Sequence, residues 1–271
     1  MQITKETISV PVDAQGHRVR VETYDGNGPA LVMLHGITSS GADFQPVLQE
    51  LVAFSSPVVV DLRGHGGSDK PAAGYHYRDY VADLNAILEA LSLAGPIVLG
   101  HSLGGIIAMY WAAQHPGVAR ALVIEDSPLR SGEEFRSAFE GWLALNAMPP
   151  TELRAWYAAR NPTWSDAILD TRTAAMASTA RAAITELMQA SMANDGLDDS
   201  PALTQITEPV LLLHGDIEYG SMVHPDDITD LPNRIQDVAI RRVQGAGHTI
   251  HRSHSDAWLN HVRDFVREVE S

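Results

Sequence analysis

Five short runs of the chain are almost wholly apolar, and turn-forming residues stop each one. They are Ala30–Leu34 before His35-Gly36, Pro57–Val60 before Asp61, Ile97–Leu99 before Gly100, Ala121–Ile124 before Glu125-Asp126, and Val210–Leu213 before His214-Gly215. A strand wetted on one side alternates polar and apolar residues. A run that is apolar throughout is buried on both faces, which predicts parallel strands between two helix layers. A sixth run, Val238–Val243, precedes the glycines ahead of His248. Helical spacing fills the intervals. Tyr77, Tyr80, Val81, Leu84, Ile87, Leu88 and Leu91 share a face, Ile106 to Ala113 is a second helical stretch, and Asp256 to Val269 is a third. This alternation predicts an α/β architecture with right-handed crossovers. Thr7–Val12 and Arg18–Thr23 alternate, and read as an edge hairpin.

One stretch breaks the rhythm. Between Ser131 and Leu203 no strand is evident, alanine is dense, and aromatic residues recur at Phe135, Phe139, Trp142, Trp156, Tyr157 and Trp164. Pro149-Pro150 and Asn161-Pro162 punctuate it, so helices joined by short turns are expected. The organisation is therefore a core of residues 1–130 and 204–271, with a helical insertion at 131–203 that exits through Asp198-Asp199-Ser200-Pro201.

Composition narrows the functional classes. The 271 residues contain no cysteine, which excludes disulfides, thiolate nucleophiles and cysteine-ligated metals. A formal net charge of −15 opposes binding to nucleic acid and to anionic membranes. The first residues lack a signal-peptide pattern, and no apolar run has the length of a membrane span. A soluble cytoplasmic protein, monomeric or homodimeric and acting on a small molecule, is the expectation.

The chemistry concentrates at Gly100-His101-Ser102-Leu103-Gly104, between a strand and an apolar helix. A tight strand-to-helix turn lifts the serine clear of the sheet and sets a helix N-terminus behind it. An activated serine needs a base, an acid that orients the base, and an oxyanion hole. His248, in Gly245-Ala246-Gly247-His248, follows the last strand and precedes the last helix, and is the base expected from that order. The N–H of Leu103, just after the serine, and that of Ile37, just after His35-Gly36, are the expected oxyanion donors. One such donor is worth about 3 kcal/mol of transition-state stabilisation. His35, His65, His101 and His214 follow strands and are read as loop braces. The spacing of His248, His251 and His254 lacks a carboxylate motif that would make it a metal site.

With His35-Gly36, Asp61-Leu62-Arg63-Gly64-His65-Gly66-Gly67-Ser68, Gly100–Gly105 and Gly245–His248 in this order, nearly the whole chain resembles an α/β-hydrolase-fold serine hydrolase. The resemblance implies a mostly parallel eight-stranded sheet flanked by helices, with residues 131–203 as the family's variable cap. It implies a Ser-His-Asp triad that cleaves a carboxylic ester or lactone without a cofactor. Carbon–carbon bond hydrolysis, cofactor-free perhydrolysis and non-catalytic ligand reception are alternatives on the same fold. The family most often sets its acid as Gly-x-x-Asp after the strand that precedes the histidine loop. Here that stretch is Gly215-Asp216-Ile217-Glu218, with Glu218 in the usual slot and Asp216 two residues early. A minority of the family takes the acid from the preceding strand end, where Asp126 stands 24 residues after Ser102. The resulting ranking is Asp216, then Asp126, then Glu218. Trp142, Trp156, Trp164, Met148, Met176, Met188 and Met192 are the pool from which an apolar pocket over Ser102 would be lined.

Overall fold

A computed structural model describes residues 4–130, 132–193 and 203–271, apart from the side chain of residue 134. Eight strands form one sheet: β1 (Lys5–Pro11), β2 (Arg18–Tyr24), β3 (Ala30–Leu34), β4 (Ser56–Val60), β5 (Ile97–His101), β6 (Ala121–Glu125), β7 (Val210–His214) and β8 (Val238–Arg242). Their spatial order is β1-β2-β4-β3-β5-β6-β7-β8. β1 pairs antiparallel with β2, and β2 with β4, while β3 through β8 pair with one another in parallel. The strands expected from apolar runs are all present, and the alternating segments at the start form the predicted hairpin.

Period-two alternation sorts the apolar side chains of each central strand onto two faces. Val32, Leu34, Val98, Leu122, Ile124 and Leu212 join one buried cluster with helices α2 (Tyr77–Ala90) and α3 (Leu103–Gln114). Leu31, Met33, Leu99, Val123, Leu211 and Leu213 join the other, with α1 (Gln45–Leu51) and the last helix (Ser255–Glu270). Burial on both sides explains why these strands read as continuous apolar runs.

Among the described residues, four α-helices lie between β6 and β7: α4 (Arg136–Asn146), α5 (Pro150–Arg160), α6 (Asp166–Ala177) and α7 (Arg181–Met192). They have a small core of their own at Leu153, Tyr157, Leu169 and Met176. The exit expected at Asp198–Pro201 lies outside the described residues. After β7 come α8 (Pro225–Arg234), the short α9 (Ile250–Ser253) and α10 (Ser255–Glu270). Sequence periodicity does not flag α1 or α8. The first has only 7 residues, and the second contains Pro232.

Candidate active site

Ser102 sits between β5 and α3 at φ 54°, ψ −117°, a conformation that non-glycine residues rarely adopt. Its surroundings leave no room for side chains on the neighbouring backbone. A Cβ on Gly104 would lie 2.2 Å from the Leu34 carbonyl oxygen, and one on Gly100 would lie 2.3 Å from Gly104. The Ser102 N–H donates to the Glu125 carbonyl at 3.0 Å, tying the turn to the end of β6. Thr38 beyond β3 and Asp126 beyond β6 also hold positive φ, 60° and 43°. Strained residues thus stand at the same end of three consecutive strands of the sheet, β3, β5 and β6.

His248 and Ser102 line one cavity. The Nδ1 of His248 contacts Asp126 Oδ2 at 2.8 Å. An ionised carboxylate only accepts, so Nδ1 carries the proton and Nε2 is left basic. Asp126 is fully buried and accepts three further bonds, from Gly215 N at 3.1 Å, Ser221 Oγ at 2.5 Å and Met222 N at 2.9 Å. Burial alone would raise its pKa, but the bonds from His248, Ser221 and Met222 outweigh that and hold the carboxyl below its ordinary value.

Of the three candidate acids, Asp126 is the one that contacts the imidazole. Asp216 accepts from Arg242 Nε at 2.5 Å and from Gly245 N at 2.8 Å, so it braces the base of the histidine loop and does not touch the imidazole. Glu218 is exposed on a 3-10 turn, Ile217–Tyr219. The physical reason lies in the loop packing. A Cβ on Gly215 would meet the Ala246 carbonyl at 2.4 Å, and one on Gly247 would meet that of Tyr219 at 2.2 Å. The two loops lie against each other, and the imidazole reaches past the turn after β7 to the end of β6. The segment expected to contain the acid instead supplies donors to Asp126. Ser221 is part of this clamp, and no sequence motif flags it.

A second carboxylate–histidine pair lies alongside. Glu125 accepts from His251 Nδ1 at 2.8 Å, from the N–H groups of Ile250 and His251 at 2.7 and 3.0 Å, and from Trp258 Nε1 at 3.0 Å. Burial opposes charge on His251, but the Glu125 carboxylate overrides it and pushes the imidazole up to about 9. Burial would likewise raise Glu125, yet His251 and its neighbours hold it at about 2. This pair escaped the sequence reading because adjacent Glu125 and Asp126 point to different partners. His101 donates from Nε2 to the His248 carbonyl at 2.9 Å, and burial drives its pKa down to about 3, so it braces the loop as a neutral ring. His35, His65 and His214 also make loop hydrogen bonds, to Gly36, Arg63 and Gly215 carbonyls.

Two cavities meet at Ser102. One is mainly apolar, with Ile37, Leu103, Phe135, Phe139, Trp142 and Leu187 among its lining residues. The other is polar and holds His248 with Thr38, Ser39, Arg172 and Arg252. Trp142 borders both. Trp156, Trp164, Met148 and Met176 pack among the inserted helices instead, and Met188 packs on the main core. Among the described residues, no acceptor occupies the N–H of Ile37 or Leu103. Gly36 permits the close approach of this backbone: a Cβ there would lie 3.1 Å from Ser102 Cβ. No group of His, Asp or Glu among the described residues is arranged to hold a metal ion.

A family model described as the alpha/beta hydrolase fold matches residues 29–175. Over 261 residues the chain is 29% identical to 2-(acetamidomethylene)succinate hydrolase of Mesorhizobium japonicum, covering 89% of each protein. It is 29% identical over 263 residues to N-formylmaleamate deformylase of Pseudomonas putida, covering 94% of this chain and 95% of the relative. The crystal structure of E-2-(acetamidomethylene)succinate hydrolase superposes with a TM-score of 0.82 at 26% identity, covering 97% of this chain and 100% of that one. Fold, motif order and these likenesses agree: the chain belongs to the α/β hydrolase fold family and is a hydrolase.

Proposed function

We propose that this protein hydrolyses a carboxylic ester or lactone through an acyl-enzyme on Ser102, with His248 as base and Asp126 as the acid that orients it. The contact of His248 Nδ1 with buried Asp126, beside a serine held at φ 54°, carries the reading. His248 Nε2 takes the proton as Ser102 Oγ attacks the acyl carbon. The N–H groups of Ile37 and Leu103 receive the oxyanion, where preorganised donors lower the barrier most. The imidazolium, stabilised by Asp126, protonates the leaving alkoxide. Water activated by the same imidazole then releases the acid and restores Ser102. Helices α4–α7 act as a cap that excludes bulk water from this step.

The relatives favour a second reading of the leaving group. One is named a deformylase of an N-formyl compound and the other a hydrolase of an acetamido compound. An amide nitrogen is a poorer leaving group than an alkoxide, so proton delivery by His248 would weigh more in that reaction. The acyl-enzyme is common to both.

A panel of short esters, lactones, N-acyl amides and a 1,3-diketone, assayed beside fluorophosphonate labelling of Ser102, tests the reading. Turnover of an ester or lactone that disappears in Ser102→Ala, with labelling of the native serine, is the expected result. Ester turnover that survives Ser102→Ala overturns it. Turnover of the diketone alone shifts the assignment to carbon–carbon cleavage, and that of an amide alone to the second reading.

A further inference from the structure

We infer that the polar cavity beside Ser102 is a carboxylate subsite in which the guanidinium groups of Arg172 and Arg252 hold an anionic substituent of the substrate. This rests on Ser102 being the reacting group, and adds to that reading which molecules are accepted.

The starting point is an imbalance of charge. Arg172 on α6 and Arg252 on α9 line the cavity that contains Ser102 and His248, and both are largely buried, with side chains 13% and 11% exposed. Among the described residues they share one carboxylate, Asp43. Arg252 Nη2 donates to Asp43 Oδ2 at 3.1 Å, whereas Arg172 Nη1 stands 3.8 Å away, an ion-pair distance and not a hydrogen bond. Asp43 also accepts from Ser39 Oγ at 2.8 Å, and His251 Nε2 approaches it at 3.8 Å. His251 is protonated against Glu125. Of the charged groups that line the cavity, two are thus cations, Arg172 and Arg252, and one is an anion, Asp43, while His251 is matched by Glu125.

The donors are also unfilled. The Arg172 guanidinium makes no hydrogen bond among the described residues, and Arg252 Nε is buried without a partner. A guanidinium has five N–H groups in a fork that matches a carboxylate. Leaving such donors desolvated and unmatched is costly. A carboxylate entering from the cavity would satisfy them and cancel the excess charge. Arg130 shows the contrast: it borders the apolar cavity but is engaged bidentately by Asp227. The substrate implied by the two cavities therefore has an acyl bond at Ser102, a short apolar portion toward Phe135, Phe139 and Leu187, and a carboxylate toward Arg172 and Arg252.

The experiment pairs monoethyl succinate with ethyl butanoate, which replaces the carboxylate by a methyl group. Native protein is expected to show a kcat/KM at least tenfold higher for the anionic ester, and Arg172→Gln to bring the ratio near one, with Arg172→Lys partly restoring it. Binding is measured separately by calorimetry on Ser102→Ala, which keeps the subsite whatever the chemistry. Monoethyl succinate is expected to bind there at least tenfold more tightly than ethyl butanoate, and adding Arg172→Gln to remove the difference. Equal binding of the two esters to Ser102→Ala, or a preference that persists in Arg172→Gln, overturns the inference. Failure of native protein to turn over either ester counts against esterase chemistry, and the binding measurement still decides the subsite.

Discussion

At the scale of single residues, Asp126 and Asp216 differ in what each carboxylate is committed to. Asp126 faces the imidazole, and three other donors fix it in place. Asp216 faces Arg242 and the Gly245 N–H. Asp126→Asn is therefore expected to lower kcat roughly a thousand- to ten-thousand-fold, because an amide NH2 no longer selects the productive tautomer. Asp216→Asn is expected to change kcat by less than about tenfold, since its partners shape the loop and not the imidazole. Steady-state kinetics of the two variants decides between them, and the opposite order would return the role to Asp216. Ser221→Ala removes a donor from Asp126, and its expected effect is a loss of roughly tenfold in kcat with a smaller change in KM. An unchanged kcat would show that Gly215 and Met222 suffice.

At the scale of elements, the site depends on how closely α3 and β3 approach. Gly104 on the first turn of α3 lies against the Leu34 backbone, so Gly104→Ala forces either the helix or the strand to move. The expected loss of stability is roughly 3 kcal/mol, read from a shift in the urea midpoint at constant m-value. A midpoint shift equivalent, through the m-value, to less than about 1 kcal/mol would mean that the contact yields easily. Glu125 joins the end of β6 to α9 and α10 through Ile250, His251 and Trp258. Glu125→Gln removes the counterion of a buried, protonated His251. Breaking such a pair costs on the order of 3–5 kcal/mol. Urea unfolding of the variant checks the value, and near-native stability would show that His251 is neutral in the fold.

At the scale of the whole molecule, buried histidines set the pH dependence of folding. His65 and His101 are driven down to about 3 and His35 is lowered too, in each case mainly by burial, from an ordinary value of 6.5. They stay neutral in the fold and take up protons on unfolding, so stability falls as pH drops from 6.5 toward 3. His251 works in the opposite sense. Raised to about 9, it contributes stability that is fully present below 6.5 and is lost as pH rises through about 9. The expected profile of melting temperature against pH is a dome with its top near 6.5, and His251→Gln is expected to flatten the alkaline side. An alkaline limb identical in native protein and variant would exclude His251 as its source. The excess of negative charge, −15 overall, makes the cationic cavity beside Ser102 the more distinctive.

Much of this protein was legible in one dimension. Apolar runs without alternation require burial on both faces, and that requirement alone predicts Ala30–Leu34, Ile97–Leu99, Ala121–Ile124 and Val210–Leu213 as inner parallel strands. The turn around Ser102 was legible because its glycines answer a local steric demand. That His248 would come to lie near Ser102 was legible from its place near the end of the chain. What required the folded molecule was every pairing between distant loops: Asp126 with His248, Glu125 with His251, Asp43 with Arg172 and Arg252. Backbone preference and periodicity act over a few residues and leave a record in the sequence. Which of several nearby carboxylates meets a given cation depends on where two loops come to rest against each other, and that is decided by packing across the end of the sheet.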